Sequence, residues 1–368
     1  MRFRAAVLRR PGEPLTIETV EASPLKAGDV LVRVRATGLC HTDLEVIEGQ
    51  LVYPVPIVLG HEAAGTVEEV GESVEGLRRG DPVVLSWNPH CGHCFYCERD
   101  QPILCETYLR HGPRAVQFDG SARLSLGGAP VHHLMYVASF AEYCIVPAHC
   151  AVRVPAEIPF DRACLIGCGV MTGVGAATRI ARLAHGASAL VVGCGAVGLS
   201  AIQGARLAGA DRIIAVDLDR RKLDLARRLG ASDAIDASAG DPVGAVRDLT
   251  QGRGADYVFE AAGNERGFRL SVEAARPGGQ IVWLGKVNVN QDVAFRWGAL
   301  MGEKRIIRSS YGGARPQRDF PLLARAYLDG SLKLDELISR RIALDEINDG
   351  FAALKRGDVV RAVVTFDA

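Results

Sequence analysis

A glycine-rich turn between two strand-like runs is the clearest chemical signal in this sequence. Residues 190–192 are followed by G-x-G-x-x-G and an apolar-periodic segment, and a second run, 212–216, ends on Asp217. The first two glycines let backbone amides approach a pyrophosphate, and the third lets the following helix pack closely. Asp217 lies 19 residues after Gly198, near the distance at which an acid meets the adenosine ribose. The pattern predicts dinucleotide binding rather than a plain glycine-rich turn. The predicted contacts are Gly193, Gly195, Ala196, Val197, Gly198 and Asp217.

Four closely spaced cysteines form a second candidate site. They follow the pattern C-x2-C-x2-C-x7-C, and four thiolates within fifteen residues can surround one tetrahedral Zn²⁺ with no open position. Such a closed site is structural, because it holds a loop but has no place for a substrate. The alternatives are an iron–sulfur cluster, which C-x2-C-x2-C also serves in ferredoxins, and free cysteines on a loop. We favour zinc, since nothing else in the sequence suggests electron transfer. The four residues are Cys91, Cys94, Cys97 and Cys105.

Composition narrows the classes of partner. The 368 residues are 48% hydrophobic and 23% charged, which is typical of a globular chain long enough for two domains. Lys+Arg and Asp+Glu both number 43, so neither nucleic acid nor an anionic membrane is the expected partner. The first five residues lack the apolar segment of a signal peptide, and no apolar run reaches membrane-spanning length. Clustering among the ten cysteines favours metal thiolates in the reducing cytoplasm over disulfides.

The segments around the cysteines predict a β-rich domain. Residues 1–36 and the stretch to about residue 82 alternate strand-like runs with Gly and Pro breaks. Residues 106–139 are predicted to form a long loop, and 139–146 to return to strand character. An Ala-rich helix is predicted at 176–184, where the chain enters the dinucleotide unit.

The second half of the chain has a different rhythm. After Asp217, strand-like runs at 257–260 and 280–284 alternate with helical pieces, which predicts a doubly wound parallel sheet of the α/β class. Beyond about residue 310 the pattern returns to mixed helix and strand. This tail is expected to complete the first domain, so the nucleotide domain would be inserted within it. The predicted helical pieces are 220–229, 243–250 and 267–275.

Two further motifs and the cysteine lobe together match a family. Gly60-His61-Glu62-Ala63-Ala64-Gly65 follows Cys40-His41-Thr42-Asp43, and Gly167-Cys168-Gly169 comes after the lobe. In this order they resemble the zinc-dependent medium-chain alcohol dehydrogenases over essentially the whole length, most closely the class III-like, formaldehyde dehydrogenase-like branch. The resemblance implies a GroES-like catalytic domain, 1–169 and 311–368, with a Rossmann NAD-binding domain, 170–310, inserted in it.

The resemblance implies a catalytic zinc held by Cys40, His61 and Cys168, which sequence spacing alone would not join. Two thiolates and one imidazole with an open fourth position form an alcohol dehydrogenase ligand set, in which zinc acts as a Lewis acid. Glu62, next to a ligand, is interpreted as a fourth or alternate zinc ligand, or as a carboxylate that contacts the ligands without binding the zinc itself. Asp43 is expected to orient His61 by accepting its other ring N–H, with a simple turn residue as the alternative.

Proton transfer is assigned by the same resemblance to the residues after Cys40. The hydroxyl of Thr42 is expected to accept the alcohol proton and pass it toward the cofactor ribose. Many family members finish that relay with a histidine three residues further on, but this sequence has Glu45 there. The proton could leave through Glu45 or through water, and both routes stay open. The simpler interpretation of Glu45 is a solvated glutamate on the surface.

Four more cofactor contacts follow from the resemblance. His41 occupies a position near the pyrophosphate, and Arg361 matches another phosphate contact. Thr172 is expected beside the nicotinamide, and Lys222 near the adenosine ribose. Ordinary surface positions are the competing interpretation of Arg361 and Lys222.

Asp217 predicts NAD(H) rather than NADP(H) as the cofactor. A carboxylate accepts hydrogen bonds from the two ribose hydroxyls but repels a 2′-phosphate. Arg220 and Arg221 keep the alternative open, because their side chains could bind that phosphate.

The substrate is predicted from three apolar positions. Trp87, Met171 and Tyr311 are interpreted as walls of a pocket for a primary, aromatic or terpenoid alcohol or aldehyde, although each is equally at home in a core. In the glutathione-dependent branch, acids lie between the Cys40 and His61 motifs, but residues 49–56 contain none, and Leu109 replaces an expected arginine. We therefore favour an alcohol dehydrogenase, with a thiol-adduct formaldehyde dehydrogenase as the alternative.

Two broader expectations complete the sequence analysis. A non-enzymatic nucleotide-binding protein on this scaffold is disfavoured, because all three catalytic zinc ligands are present. The apolar segment near 298–310 predicts a homodimer, with a tetramer as the alternative. Small-molecule substrate, two Zn²⁺ per subunit and NAD(H) are thus the predicted partners.

Overall fold

The computed structural model describes residues 1–366, which divide into two compact units. The first unit comprises Met1–Cys168 together with the chain from Arg315 onward, and the second comprises Gly169–Ala314. One stretch of chain therefore interrupts the other, and each unit is described by itself.

The first unit contains a small closed barrel and a larger, mostly antiparallel sheet. The barrel order is β1-β2-β7-β8-β4, and the sheet order is β10-β6-β5-β3-β18-β17, with β9 also paired to β3. Its strands are β1 Arg2–Leu8, β2 Thr16–Ala22, β3 Asp29–Gly38, β4 Ile57–Val58, β5 Glu62–Val70, β6 Pro82–Leu85, β7 Leu124–Leu126, β8 Ala129–His133, β9 Tyr143–Pro147, β10 Ala151–Arg153, β17 Ile338–Ile342 and β18 Arg361–Thr365. Its helices are α1 His41–Ile47, α2 Glu106–His111, α3 Phe160–Leu165, α9 Pro316–Leu328 and α10 Ile347–Arg356.

The register of three strands brings distant segments to one place. Strands β3 and β5 run antiparallel with Gly38 opposite Glu62, and β18 pairs with β3 so that Val363 also lies opposite Gly38. The residues just beyond the end of β3 and just before β5 must therefore be neighbours. A Cβ at Gly38 would lie 2.3 Å from Oε2 of Glu62, so glycine at this position leaves room for the Glu62 carboxylate.

The second unit is a six-stranded, wholly parallel sheet with helices between its strands. The order β13-β12-β11-β14-β15-β16 places the glycine-turn strand β11 inside the sheet. Such strands are buried on both faces and read as continuous apolar runs, as in Leu-Val-Val at the end of β11. The predicted α/β fold class is confirmed. The strands are β11 Ser188–Val192, β12 Arg212–Asp217, β13 Asp233–Asp236, β14 Ala255–Glu260, β15 Ala275–Trp283 and β16 Arg305–Arg308. The α-helices are α4 Met171–Gly175, α5 Ala196–Leu207, α6 Arg220–Arg228, α7 Pro242–Leu249 and α8 Glu265–Ala274.

Two element predictions need correction. The predicted loop 106–139 contains α2, β7 and β8. Strands β7 and β8 lie between β2 and β4 and close the barrel, and their residues Leu124 and Val131 are buried in its apolar core. The predicted helix 176–184 is the end of a longer helical segment, Phe160–Ile180, with π-helical turns at Ile166–Val170 and Ala176–Ile180. By length and composition this segment could cross a membrane, but 72% of its apolar window is buried in the protein, as in a core helix.

Candidate active site

The structure brings Cys40, His61 and Cys168 together, although 21 and 107 residues separate them along the chain. Their ligand atoms all lie within 4.8 Å of one another. Cys40 follows the end of β3 and His61 precedes β5, so the strand register described above makes them neighbours. Tetrahedral zinc with Zn–S near 2.3 Å and Zn–N near 2.0 Å requires donors about 3.5–3.8 Å apart, which this set can adopt. Two thiolates and one imidazole leave one coordination position for a substrate.

Cys168 reaches this cluster from a different element. It lies in the π-helical turn Ile166–Val170, and the residue before it, Gly167, packs against β6 so closely that a Cβ would lie 2.7 Å from the carbonyl oxygen of Leu85. The hydrogen bond from the Cys168 thiol and the positive charge of Arg361 hold the pKa of Cys40 well below that of an ordinary thiol. A thiolate is the form that ligates zinc, so the site favours the metal-binding state of Cys40.

Asp43 joins the two ligand-bearing segments. Its Oδ1 accepts from the Gly60 backbone N–H at 2.9 Å and lies 3.2 Å from Nδ1 of His61, while Oδ2 accepts from the Cys40 backbone N–H at 3.2 Å. Both Asp43 and His61 are buried. If Nδ1 of His61 donates to this carboxylate, Nε2 remains as the nitrogen that could bind a metal. The orienting role of Asp43 fits this contact and stays a prediction.

Glu62 and Arg361 form a buried ion pair beside the ligands. Nε of Arg361 donates to Oε2 of Glu62 at 2.9 Å, and Nη2 of Arg361 lies 3.8 Å from Sγ of Cys40. Strand β18 begins at Arg361 and pairs with β3, so the sheet places the Arg361 guanidinium beside Cys40, which follows the end of β3. These contacts place Arg361 at the metal centre. Its predicted phosphate contact and the predicted ligation by Glu62 stay predictions.

The four cysteines of the lobe also converge. Their sulfur atoms lie within 4.8 Å of one another, and Sγ of Cys91 is 4.0 Å from Sγ of Cys97. Backbone N–H groups point at two of the sulfurs, from Cys91 to Cys105 at 3.3 Å and from Glu106 to Cys94 at 3.5 Å. This spacing fits one tetrahedral ion, whereas an iron–sulfur cluster would hold its cysteines further apart. None of the ten cysteines, all of which lie within residues 1–366, forms a disulfide.

An aromatic cluster in the unit that holds the metal ligands was not predicted. Tyr108, in α2 directly after the lobe, lies 6.3 Å from Trp87 and 5.4 Å from Tyr136 between ring centroids. Burial first, and then the charges of Tyr53, Cys150 and Cys168, raise the pKa of Tyr108. Of these three aromatic residues, only Trp87 is among the predicted pocket residues. The tyrosines were missed because the predicted loop 106–139 hid the helix that carries Tyr108.

The glycine turn of the second unit has the geometry that the sequence predicts. Gly193 has φ +90°, and a Cβ at Gly198 would lie 1.8 Å from the carbonyl oxygen of Gly193. Gly195 caps the N-terminus of α5, and a Cβ there would meet no heavy atom of the described residues within 4 Å. The first and third glycines are thus required by packing. The second faces open space beside a helix N-terminus, which suits a phosphate.

Asp217 ends β12 next to this turn. Its Oδ2 accepts from the Cys194 backbone N–H at 2.6 Å and its Oδ1 from the Asp219 backbone N–H at 2.9 Å. Arg220 is paired with Asp236 at 3.0 Å, and Arg221 with Asp219 at 2.8 Å.

The remaining predicted residues lie as follows. Thr42 and Glu45 are half-buried on α1, behind the exposed His41. In the second unit, Lys222 lies on α6, and Thr172 lies on α4, which packs on α5 through Gly173. The three predicted pocket residues are divided between units: Trp87 is half-buried in the first, whereas Met171 and Tyr311 are buried in the second.

Glu260, the last residue of strand β14, is a buried acid that the sequence pattern did not single out. The side chain of Glu260 is fully buried, and burial raises its pKa to about 7 against the opposing backbone N–H groups of Gly263 and Ala262. The only sequence signal was its place at the carboxyl end of an apolar strand.

We predict that Cys40→Ser removes one of two zinc ions per chain, because a hydroxyl is a poor zinc ligand. Metal analysis should find one zinc, and kcat/KM should fall at least about 100-fold because the Lewis acid is lost. Cys94→Ser should instead lower the thermal unfolding midpoint. Cys164→Ala, a buried cysteine one helical turn before Cys168, is the matched control and should keep both ions. Full activity of Cys40→Ser with two zinc ions would contradict the assignment.

We further predict that Glu260→Gln changes how stability depends on pH. A folded-state pKa near 7, above the usual carboxyl value, means that Glu260 stabilises the fold below about pH 4.5 and loses this contribution as pH rises to about 7. The side chain of the variant stays neutral. The free energy of unfolding of the variant, measured relative to that of the wild type, should therefore rise between pH 5 and 8, by up to about 3 kcal/mol. Asp292→Asn, an exposed acid of the same unit, is the control. A difference that is constant with pH would refute the raised pKa.

Comparison with known proteins places this chain in a family. The family described as Alcohol dehydrogenase GroES-like domain matches residues 26–156, and that described as Zinc-binding dehydrogenase matches residues 196–328. The S-(hydroxymethyl)glutathione dehydrogenase of Escherichia coli is 37% identical over 369 residues, covering 100% of both chains.

Solved structures agree with this assignment. An alcohol dehydrogenase zinc-binding domain protein from Burkholderia ambifaria is 35% identical with a TM-score of 0.96, and benzyl alcohol dehydrogenase from Acinetobacter calcoaceticus is 31% identical with a TM-score of 0.94. Each match covers 100% of both chains. The chain therefore belongs to the zinc-dependent medium-chain alcohol dehydrogenases, in their formaldehyde dehydrogenase-like branch.

Proposed function

We propose that this enzyme interconverts primary aromatic alcohols and their aldehydes with NAD as hydride acceptor. The observation that carries the proposal is the cluster of Trp87, Tyr108 and Tyr136, which lies in the same unit as the three zinc ligands. Aromatic side chains pack favourably on an aromatic substrate in offset or edge-to-face arrangements. The similarity to benzyl alcohol dehydrogenase from Acinetobacter calcoaceticus supports the same substrate class.

The residues of the first unit hold the reacting oxygen and move its proton. Cys40, His61 and Cys168 would hold the catalytic zinc, with Asp43 fixing the His61 tautomer. When bound, zinc supplies a Lewis acid for the alcohol oxygen, and NAD supplies the hydride acceptor. Thr42, two residues after Cys40, is proposed to accept the alcohol proton, with Glu45 one helical turn further as the exit.

The thiol-adduct alternative is supported by the similarity to S-(hydroxymethyl)glutathione dehydrogenase. The sequence argues against glutathione itself, because residues 49–56 hold no acid that could pair with its amino group. Leu109, at the position of an expected arginine, has an exposed side chain on α2, with Arg110 as its exposed neighbour. An alcohol without a charged carrier fits these residues better.

NAD rather than NADP is supported by the charges around Asp217. The two arginines that could bind a 2′-phosphate are each engaged with a carboxylate, Arg220 with Asp236 and Arg221 with Asp219. A 2′-phosphate would therefore meet Asp217 and would have to compete for both guanidinium groups. Lys222 is proposed to contact the ribose, and Thr172 the nicotinamide.

A cytoplasmic homodimer is the proposed form of the enzyme. Strand β16 ends the described sheet and pairs there with β15 alone, so its other edge can extend the sheet. Trp297 and Met301, which precede β16 in the chain, are 77% and 67% exposed, and exposed apolar patches can mark interaction surfaces. Pairing across a two-fold axis would cover both features.

We predict that benzyl alcohol is oxidised with a kcat/KM at least about tenfold higher than that of ethanol, since each additional methylene-sized apolar group in a hydrophobic pocket contributes about 1–3 kcal/mol. Tyr108→Ala should narrow this ratio, whereas Phe95→Ala, an exposed aromatic of the same lobe, should not. Formaldehyde should be a poor substrate with or without glutathione. Efficient oxidation only when glutathione is added would replace the proposal by the thiol-adduct alternative.

We predict a kcat/KM with NAD that exceeds that with NADP by at least about 50-fold, because the Asp217 carboxylate disfavours a 2′-phosphate. Asp217→Ala should narrow the ratio mainly by raising KM for NAD. Asp224→Asn, an exposed acid on α6, should leave the ratio unchanged. Equal or better turnover with NADP by the wild-type enzyme would refute the prediction.

A further inference from the structure

Glu260 occupies the carboxyl edge of the parallel sheet, where dinucleotides bind in doubly wound folds. It is the last residue of β14, the strand that lies between β11, which leads into the glycine turn, and β15. The adenosine end of the site lies on the other side of β11, because Asp217 ends β12. Glu260 is therefore on the half of the sheet that is left for the nicotinamide end of the cofactor.

The carboxyl group holds the loop that follows β14. Its Oε1 accepts from the backbone N–H groups of Ala262 and Gly263, both at 2.9 Å. Its main-chain oxygen accepts from the backbone N–H groups of Leu284 and Gly285 after β15, at 2.8 and 2.9 Å. One residue thus fixes the two loops that leave the sheet next to the glycine turn.

The loop that Glu260 holds is packed on the glycine turn itself. A Cβ at Gly193 would lie 2.6 Å from the backbone nitrogen of Ala262, and a Cβ at Gly285 would lie 2.4 Å from that of Gly263. The N–H of Ala261 also donates to the carbonyl oxygen of Val192, at 2.8 Å. Because neither glycine leaves room for a side chain, the loop 261–263 lies directly against the glycine turn, and the loop 284–285 lies against the loop 261–263. A shift of the loop 261–263 would therefore move the turn that receives the pyrophosphate.

We infer that Glu260 is a positioning residue for the nicotinamide half of the cofactor site, acting through the loops 261–263 and 284–285. This inference rests on the proposed dinucleotide function. The side chain is fully buried, and its Oε2 has no hydrogen-bond partner within residues 1–366. Burying an acid that has one unpaired oxygen costs free energy, so the hydrogen bonds of its other oxygen must offset that cost. Burial raises its pKa to about 7, so a neutral side chain that keeps Oε1 can replace it.

The test compares Glu260→Gln, which keeps an oxygen acceptor for Ala262 and Gly263, with Glu260→Leu, which removes it. Dissociation constants for AMP and for NADH are measured by titration calorimetry on the zinc-loaded enzyme, together with KM for NAD and kcat. Asp256→Asn is the matched control, because Asp256 is a hydrogen-bonded acid on the same strand at its opposite end.

We expect Glu260→Leu to bind NADH at least tenfold more weakly while its AMP affinity stays within about twofold, and Glu260→Gln to stay within about threefold for both. KM for NAD should rise more than kcat falls. Asp256→Asn should leave the NADH-to-AMP ratio unchanged, even if it unfolds at a lower temperature.

Equal weakening of AMP and NADH binding by Glu260→Leu would overturn the positioning role and leave the proposed function standing, since a general loss of structure acts on both ligands. An unchanged NADH affinity in Glu260→Leu would overturn it as well. Failure of the wild-type enzyme to bind either ligand would overturn the dinucleotide function together with this inference.

Discussion

The catalytic centre depends on one buried carboxylate. Asp43 accepts from the backbone of Cys40, from the backbone of Gly60 and from the ring of His61, so it ties the end of β3 to the start of β5. Without this contact, the strand register would still bring the two segments near each other, but it would fix neither the imidazole tautomer nor the direction of the thiol. A metal site needs both, because its ligands must meet at one point.

Charge balance is the second constraint on the centre. Two cysteines, Glu62 and Asp43 place several acidic groups close together in the interior, which is unfavourable unless cations are present. Arg361 supplies one positive charge from β18, against Glu62 and within 3.8 Å of Cys40. A divalent ion between the ligands supplies the rest. The sheet that positions Arg361 is thus also part of the electrostatics of the site.

The sequence predicted the glycine turn and the four-cysteine lobe from local spacing, since each lies within one short segment. Cys40, His61 and Cys168 were joined only through family resemblance, because their approach depends on the β3–β5 register and on a π-helical turn that periodicity does not reveal. The pairing of Arg361 with Glu62 spans 299 residues and has no local signal. The segment 106–139 was misread as a loop, because its two short strands are specified by closure of the barrel.

The catalytic function described above requires a divalent ion bound between Cys40, His61 and Cys168. Anomalous diffraction at the zinc absorption edge, from crystals of freshly purified active enzyme, tests it most directly. We expect two anomalous peaks per chain, one within bonding distance of Sγ of Cys40, Nε2 of His61 and Sγ of Cys168, and one among the four lobe cysteines. A fully active sample without the first peak would contradict it.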